Sequence, residues 1–208
     1  MKNFDIIGDI HGYATALTLL LKKLGYRKVK NTYRHDENRM VLFLGDYIDR
    51  GLEEESTCNI VRAMVESGDA LAIQGNHEYN AICFATEHNG GYLRTHNERN
   101  IKTHENFLKE YPLGSKKHKD IISWFKTLPL FLELDDLRAV HACWHKDSIN
   151  FLKNNLNSNI KLLEKCPKLS SMPKNSSAQA SPKMKLKKSR KLLIFSIPMV
   201  QELLTQKN

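Results

Sequence analysis

Three short apolar runs in the first part of the chain are each followed by a glycine-bounded polar loop and then by a segment of helical periodicity. The runs cover residues 4–7, 40–44 and 70–73, and the helical patterns after the first two end at Gly25 and Gly68. Repetition of strand, loop and helix predicts the α/β class, with a parallel sheet and its loops at the carboxyl ends of the strands. All three loops should therefore open on one edge of the sheet.

The chain beyond residue 85 is less regular. Residues 87–100 have the composition of an irregular insertion, whereas 102–111 and 119–129 have helical spacing of apolar residues. Trp124 and Phe125 belong to the second of these patterns, and we expect them to pack in the core. Three residues of the insertion are candidates for a substrate-selecting loop, although a plain surface loop explains them equally well: Arg94, His96 and Arg99.

Residues 130–143 have the alternation of a β-hairpin. The Asp135-Asp136 pair would form its turn, and its second strand would end at His141. This hairpin would bring a further polar side chain to a strand end.

The loops after the three parallel strands carry carboxylate, imidazole and amide groups. Asp9 and His11 follow the first strand, Asp46 follows the second, and Asn76 and His77 lie in the third loop. A mixture of oxygen and imidazole ligands suits manganese, iron or zinc better than calcium, which prefers oxygen alone. A single Gly-Asp turn or a single histidine usually has only a structural role, but three such loops on one sheet edge favour a metal site.

The same loops resemble those of a known enzyme family. The segments GDIHG at 8–12, GDYIDRG at 45–51 and GNHE at 75–78, followed by VHA at 140–142, resemble the calcineurin-like metallophosphoesterases. The most similar branch is that of the phosphoprotein phosphatases, which includes bacterial serine/threonine phosphatases and diadenosine tetraphosphatases. This resemblance covers about residues 1–150 and implies a two-sheet sandwich flanked by helices, a four-layer αββα fold.

The resemblance also implies a site with two divalent ions, manganese first, with iron or zinc as alternatives. Asp9 and His11 would bind one ion, Asp46 would bridge both, and Asn76 with His141 would bind the other. His77 would donate a proton to the leaving group and Asp49 would orient it. Arg50, together with Asn76, would bind the phosphate, because a guanidinium matches phosphate oxygens in a way that lysine does not.

The sequence departs from the family pattern in its second half. The family supplies one more histidine in a later Gly-His segment, whereas all nine histidines here lie at or before His145 and all ten glycines at or before Gly114. Ala142 and Cys143 replace two glycines of the family. His145 either substitutes for the missing ligand or faces solvent or substrate, and the second sheet is expected to be incomplete, with exposed apolar surface and low stability.

Charge divides the chain into two parts. The net charge of +9 comes from residues 151–208, which hold twelve Lys and Arg and two acidic residues. Residues 1–150 hold twenty Lys and Arg and twenty-one acidic residues. We therefore predict a metallophosphoesterase domain at 1–150 and a basic tail at 151–208, and we do not expect the domain to bind nucleic acid. The tail is a solvated segment, an aberrant end of a longer enzyme, or a basic arm that binds nucleic acid.

The four cysteines are widely spaced, and neither a signal peptide nor a membrane-spanning segment is evident, which predicts a cytoplasmic protein with no membrane partner. The favoured function is hydrolysis of phosphate esters through a water activated by two metal ions. The substrate would be a phosphorylated small molecule, a nucleotide or a phosphoprotein, and a symmetrical dinucleoside tetraphosphate hydrolase is one alternative within the family. The rival hypothesis is a catalytically impaired remnant that binds metal weakly.

Overall fold

A computed structural model describes residues 3–134, 137–155 and 194–196. Its central feature is a parallel sheet whose strands are β1 (Phe4–Gly8), β4 (Met40–Phe43), β5 (Ala70–Ala72) and β10 (Ile194–Ser196), in the order β10-β1-β4-β5. The three predicted strands are confirmed as β1, β4 and β5, which pair in parallel with Ile6 opposite Leu42 and Leu42 opposite Leu71. Residues 156–193 and 197–208, most of the predicted tail, lie outside the described part.

The remaining elements follow in chain order. The helices are α1 (Ala14–Lys23), α2 (Glu54–Glu66), α3 (Asn76–Ala85), α4 (Glu98–Thr103), α5 (Glu105–Glu110), α6 (Lys116–Phe125) and α7 (Lys146–Asn155). Three antiparallel hairpins are formed by β2 (Tyr26–Val29) with β3 (Thr32–His35), by β6 (Glu87–His88) with β7 (Gly91–Tyr92), and by β8 (Phe131–Leu134) with β9 (Leu137–Val140). None of the helices within the described residues combines the length and the hydropathy that a transmembrane span requires.

Alternation along the parallel strands gives the sheet two apolar faces. Ile7, Val41 and Phe43 face one way and are buried in the larger core with the apolar residues of α1 and α2. Ile6 and Leu42 face the other way and pack in a smaller cluster that includes residues of the β8–β9 hairpin. The strands β1, β4 and β5 are therefore apolar on both sides, as a sheet covered on both faces requires.

The hairpin β8–β9 is the predicted second layer, and it is small. Ala139 is its buried residue in the smaller cluster, whereas Leu132 and Leu137 are only half-buried. The predicted turn at Asp135-Asp136 lies outside the described residues. The α/β class and the small second sheet are thus confirmed.

Two parts of the fold were not predicted. The hairpin β2–β3 lies between the first helix and the second parallel strand, and Tyr26 of this hairpin donates a buried hydrogen bond of 2.9 Å to Asp5. The helical pattern at 102–111 is broken at His104, which ends α4 and begins α5. Trp124 and Phe125 are 6% and 0% exposed, so their predicted place in the core is confirmed.

Candidate metal centre

Backbone hydrogen bonds join the first two polar loops at the carboxyl edge of the sheet. The amides of His11 and Gly12 donate to the carbonyls of Asp46 and Tyr47 over 2.9 and 2.7 Å, and the amide of Gly51 donates to the carbonyl of His11 over 2.8 Å. The prediction that these loops open on one edge is confirmed. The second loop lies against the first along most of its length, which fixes the position of each polar side chain between them.

Several non-glycine residues of these loops have left-handed backbone conformations. The φ angles are 52° at Asp9, 50° at His11, 56° at Asp46, 66° at Asp49 and 93° at Arg50. Such angles are uncommon for residues that carry a Cβ atom, and they persist only where the surrounding structure holds them. The concentration of these angles in the polar loops marks this edge as the candidate functional site.

Two glycines of the motifs allow close approach between loops. A Cβ atom on Gly51 would lie 2.2 Å from the carbonyl oxygen of Gly12, and one on Gly75 would lie 2.2 Å from Oδ1 of Asp46. No side chain fits at either position without displacing backbone or the Asp46 carboxylate. These glycines are therefore required for packing of the loops as well as for turns.

Glu78 connects the third loop to the second. Its carboxylate is fully buried and accepts hydrogen bonds from the amides of Asp46 (2.9 Å), Tyr47 (2.7 Å) and Gly75 (2.8 Å). Burial, with Asp46 nearby, raises the pKa of Glu78 to about 7 although the three amides favour its charged form. Glu78 thus joins the second loop to the third through these hydrogen bonds.

The expected position of Asn76 and His77 within a loop is wrong, because these residues form the first turn of α3. Gly75 is the N-cap, and Glu78 at the third helical position accepts its amide, so the helix begins directly after the glycine. A glycine N-cap gives little sequence signal. The consequence is that both side chains project from a rigid helix end.

Asp46 lies at the centre of the candidate ligands. Ligand atoms of His11, Asp46 and His77 lie within 4.8 Å of one another, and so do those of Asp9, Asp46 and His141. Oδ2 of Asp46 is 3.3 Å from Nε2 of His141 and 3.8 Å from Nε2 of His11. Two groups that share one carboxylate have the composition of a dimetal site with a bridging aspartate.

The five expected ligands come together, but their grouping differs from the expected one. Asp9 was expected beside His11, whereas the groups associate Asp9 with His141 and His11 with His77. Asn76 lies with His141, since its Oδ1 is 3.0 Å from Nε2 of His141. The donor set of carboxylate, imidazole and amide oxygen fits manganese, iron or zinc.

Hydrogen bonds orient the two imidazoles that would bind metal. Nδ1 of His11 donates to the carbonyl of Ile48 over 2.9 Å, and Nδ1 of His141 donates to the carbonyl of Leu44 over 2.7 Å. Each bond leaves Nε2 directed toward Asp46. A carbonyl partner on the far nitrogen is the usual arrangement for a metal-binding histidine.

The electrostatic environment differs among these groups. Burial lowers the pKa of His11, which keeps its imidazole neutral and able to bind a cation. Burial alone would raise the pKa of Asp46, but the hydrogen bond and charge of His141 outweigh it and lower that pKa. The Asp46 carboxylate in turn raises the pKa of His141 to about 9 despite the opposing effect of burial.

A second cluster lies beside the ligands and centres on Asp49, which is 2% exposed. Oδ2 of Asp49 accepts from Nδ1 of His77 over 2.6 Å, and Oδ1 accepts from Nδ1 of His104 over 2.8 Å. Burial would raise the pKa of Asp49, but the two imidazoles outweigh it and lower the pKa. Burial would lower the pKa of His77, but the bond to Asp49 and the charge of Asp46 raise it, which favours the proton that a general acid needs.

Sequence reasoning missed two buried groups that support this cluster. His104 has no distinctive neighbours in the sequence, and only the fold brings it to Asp49. Glu54, which opens α2, is also fully buried, and it accepts from the amide of Asp49 over 3.1 Å. Burial and the nearby Asp49 raise the pKa of Glu54 to about 9, so this carboxyl is protonated at neutral pH.

Other candidate residues have separate partners. Nδ1 of His145 lies 2.9 Å from Oγ of Ser148 at the start of α7, and His145 is in neither candidate ligand group. Arg94 donates to Asn80 and His96 pairs with the carbonyl of Phe84, both over 2.8 Å. These contacts hold the insertion against α3 and do not place it among the ligands.

The chain is similar in sequence to known proteins. Residues 2–180 match the model of the calcineurin-like phosphoesterase family. A bis(5'-nucleosyl)-tetraphosphatase of the asymmetrical kind from Oceanobacillus iheyensis is 32% identical over 138 residues, which are 66% of this chain and 54% of that protein. A bis(5'-nucleosyl)-tetraphosphatase of the symmetrical kind from a Marinomonas species is 26% identical over 162 residues, with 75% and 51% coverage.

A solved metallophosphoesterase from Sphaerobacter thermophilus is 21% identical with a TM-score of 0.42, and the match covers 65% of this chain and 44% of that one. The chain spans about half the length of the curated relatives it matches. Because the family model matches most of its residues, the chain belongs to the calcineurin-like phosphoesterase family.

Proposed function

We propose that this chain is a metal-dependent phosphoesterase. The observation that carries the proposal is the shared position of Asp46, whose carboxylate belongs to two candidate ligand groups and lies beside the His77–Asp49 pair. Two divalent ions held by Asp9, His11, Asp46, Asn76 and His141 would neutralise phosphate oxygens and lower the pKa of the attacking water.

The chain's own residues divide the remaining work of hydrolysis. His77 has its Nδ1 bound to Asp49, so its Nε2 is free to give a proton to the leaving oxygen as the phosphorus–oxygen bond breaks. Among the described residues, no carboxylate forms an ion pair with the guanidinium of Arg50. Arg50 lines a pocket together with His77. Its planar fork suits two phosphate oxygens.

We further infer that the substrate is a dinucleoside polyphosphate. This inference is supported by the names of the relatives, which are asymmetrical and symmetrical tetraphosphatases. No observation on the described residues favours a phosphoprotein substrate.

A direct test is hydrolysis of phenyl phosphate, whose poor leaving group needs a proton, by the purified chain with added manganese. His77→Asn should lower turnover by about 100-fold or more, which is the usual contribution of a general acid, while the manganese bound per chain stays the same. His88→Asn is the matched control, because His88 is exposed in β6 and the change is chemically identical.

Two results would contradict the proposal. Absence of turnover with manganese, zinc, iron and magnesium, although metal is bound, would favour the catalytically impaired remnant. Loss of a bound ion in His77→Asn would instead make His77 a metal ligand, in keeping with its place in the first ligand group.

A further inference from the structure

A pocket of about 380 Å³ lies beside His77. Its lining comes from the second loop, from the first turn of α3, and from the adjoining ends of α4 and α5. Its lining residues are Arg50, His77, Lys102, Thr103, Glu105 and Asn106. The volume lies in the range typical of small-molecule sites.

The position of this pocket relates it to the leaving group. A general acid must lie within hydrogen-bond reach of the oxygen that it protonates, so the departing part of the substrate occupies the space next to Nε2 of His77. His77 lines the pocket, so a leaving group that receives its proton lies in or beside this space. Asn106 fixes its wall, because Nδ2 of Asn106 donates to the carbonyl of Arg50 over 3.0 Å and so ties α5 to the second loop.

The charges on the pocket walls favour an anionic leaving group. Arg50 and Lys102 form no ion pair among the residues that the structure describes, and both face the same pocket. Glu105 is the acidic residue of the lining, but its carboxylate lies 2.8 Å from Nζ of Lys109 and is already paired. Two cations therefore remain without a partner in the protein.

We infer that this pocket is a leaving-group subsite for a phosphate chain, in which Lys102 binds the phosphate beyond the scissile bond. The inference rests on the proposed function and adds to it the residue that distinguishes a polyphosphate from a simple monoester. An aryl or alkyl leaving group offers Lys102 no charge, whereas a nucleoside polyphosphate places a phosphate oxygen there. Lys102 thus selects phosphoanhydrides over monoesters.

Binding of inorganic tripolyphosphate and of orthophosphate, measured by titration calorimetry at one fixed free manganese concentration, tests this subsite without catalysis. Lys102→Gln should lower the affinity for tripolyphosphate about fivefold to tenfold more than it lowers the affinity for orthophosphate. This difference corresponds to loss of one exposed charge-assisted contact. Lys102→Arg keeps the charge and should bind nearly as the unmodified chain does. Lys119→Gln, an exposed change on α6, should alter neither affinity.

The outcomes separate this inference from the proposed function. Equal loss of affinity for both phosphates in Lys102→Gln, or no loss, would overturn the subsite even if p-nitrophenyl phosphate is hydrolysed. Absence of tripolyphosphate binding to the unmodified chain would also overturn it. Selective weakening of tripolyphosphate without any turnover would support the subsite and refute the phosphoesterase.

Discussion

At the scale of single residues, the most informative side chain is one that the sequence does not distinguish. His104 is 4% exposed, and its Nδ1 donates a hydrogen bond to Oδ1 of Asp49, while His77 donates to Oδ2. Its ring stacks on Phe107 with centroids 4.6 Å apart, and its Nε2 has no hydrogen-bond partner among the described residues. His104 therefore acts on Asp49, and through Asp49 on the orientation of His77.

Removal of this hydrogen bond should impair the general acid selectively. In His104→Phe, which keeps an aromatic ring but loses the donor, turnover of phenyl phosphate should fall about tenfold, because a poor leaving group needs its proton. Turnover of p-nitrophenyl phosphate, whose leaving group is a weaker base, should fall much less. Comparison of kcat for the two substrates measures the effect.

A matched substitution is available in the same aromatic cluster. His118 is 2% exposed and lies 6.0 Å from the Phe107 ring, but it has no contact with Asp49 in the structure. His118→Phe should leave the ratio of the two kcat values unchanged, and His104→Asn, which keeps a donor near Nδ1, should partly restore it. Equal loss for both substrates in His104→Phe would mean that His104 only maintains the fold.

At the scale of elements, the three strand-loop-helix units were predictable because apolar runs, glycines and leucine spacing all agree there. The hairpin β2–β3 was not predictable, since its strands carry lysine, arginine and histidine and lack a strong alternating pattern. The start of α3 was missed for a different reason. Only glycine fits at position 75, because a Cβ atom there would clash with Asp46. The N-cap of α3 therefore cannot be a residue with a capping side chain, which would have indicated the start of the helix in the sequence.

The candidate site shows the same division between local and tertiary signals. Asp9, Asp46 and His77 were predictable because they lie in motifs, but their grouping depends on how far each loop curls around the next. The buried positions of Glu54 and His104 were not predictable, because a charged residue in a helical pattern normally faces solvent. Only tertiary packing identifies them.

Glu78 provides a test of how α3 is attached to the loops. Glu78→Gln replaces one carboxylate oxygen by an NH₂ group, so at least one of the three amides loses its acceptor. The free energy of unfolding should fall by about 1–3 kcal/mol, the usual cost of an unsatisfied buried donor. Affinity for manganese should fall as well, because Asp46 is one of the residues released.

Denaturant unfolding and manganese titration of this variant give both quantities. Glu66→Gln is the control, since Glu66 is exposed on α2 and pairs with Arg62 at the surface. A variant with normal metal affinity and reduced stability would show that Glu78 supports the fold but not the site.

At the scale of the whole molecule, the ligands come from loops that are distant in sequence. Asp9 and His141 are separated by most of the described chain, and they meet only when the hairpin β8–β9 packs on the sheet. The leucines of that hairpin that pack on the sheet, Leu132 and Leu137, are only half-buried. Metal binding should therefore contribute to the stability of this part of the molecule.

Manganese should raise the melting temperature of the chelator-treated chain. At a free concentration 100 times its Kd, a bound ion adds about 2.7 kcal/mol to the free energy of unfolding, or roughly 5–10 °C for a chain of this length. Asp46→Asn should abolish most of the shift, whereas Asp147→Asn, an exposed change in α7, should not. An equal shift in both variants would place the ion elsewhere.

The left-handed backbone of the polar loops has a kinetic consequence. Because backbone hydrogen bonds between the first two loops hold Asp9, His11 and Asp46 at their uncommon φ angles, the fold itself imposes these angles. A cation that binds then finds its ligands already in position. Its rate of binding is limited by loss of its own water molecules and not by a slow rearrangement of the loops. Ion uptake by the apoprotein should accordingly follow a single fast phase whose rate rises linearly with cation concentration.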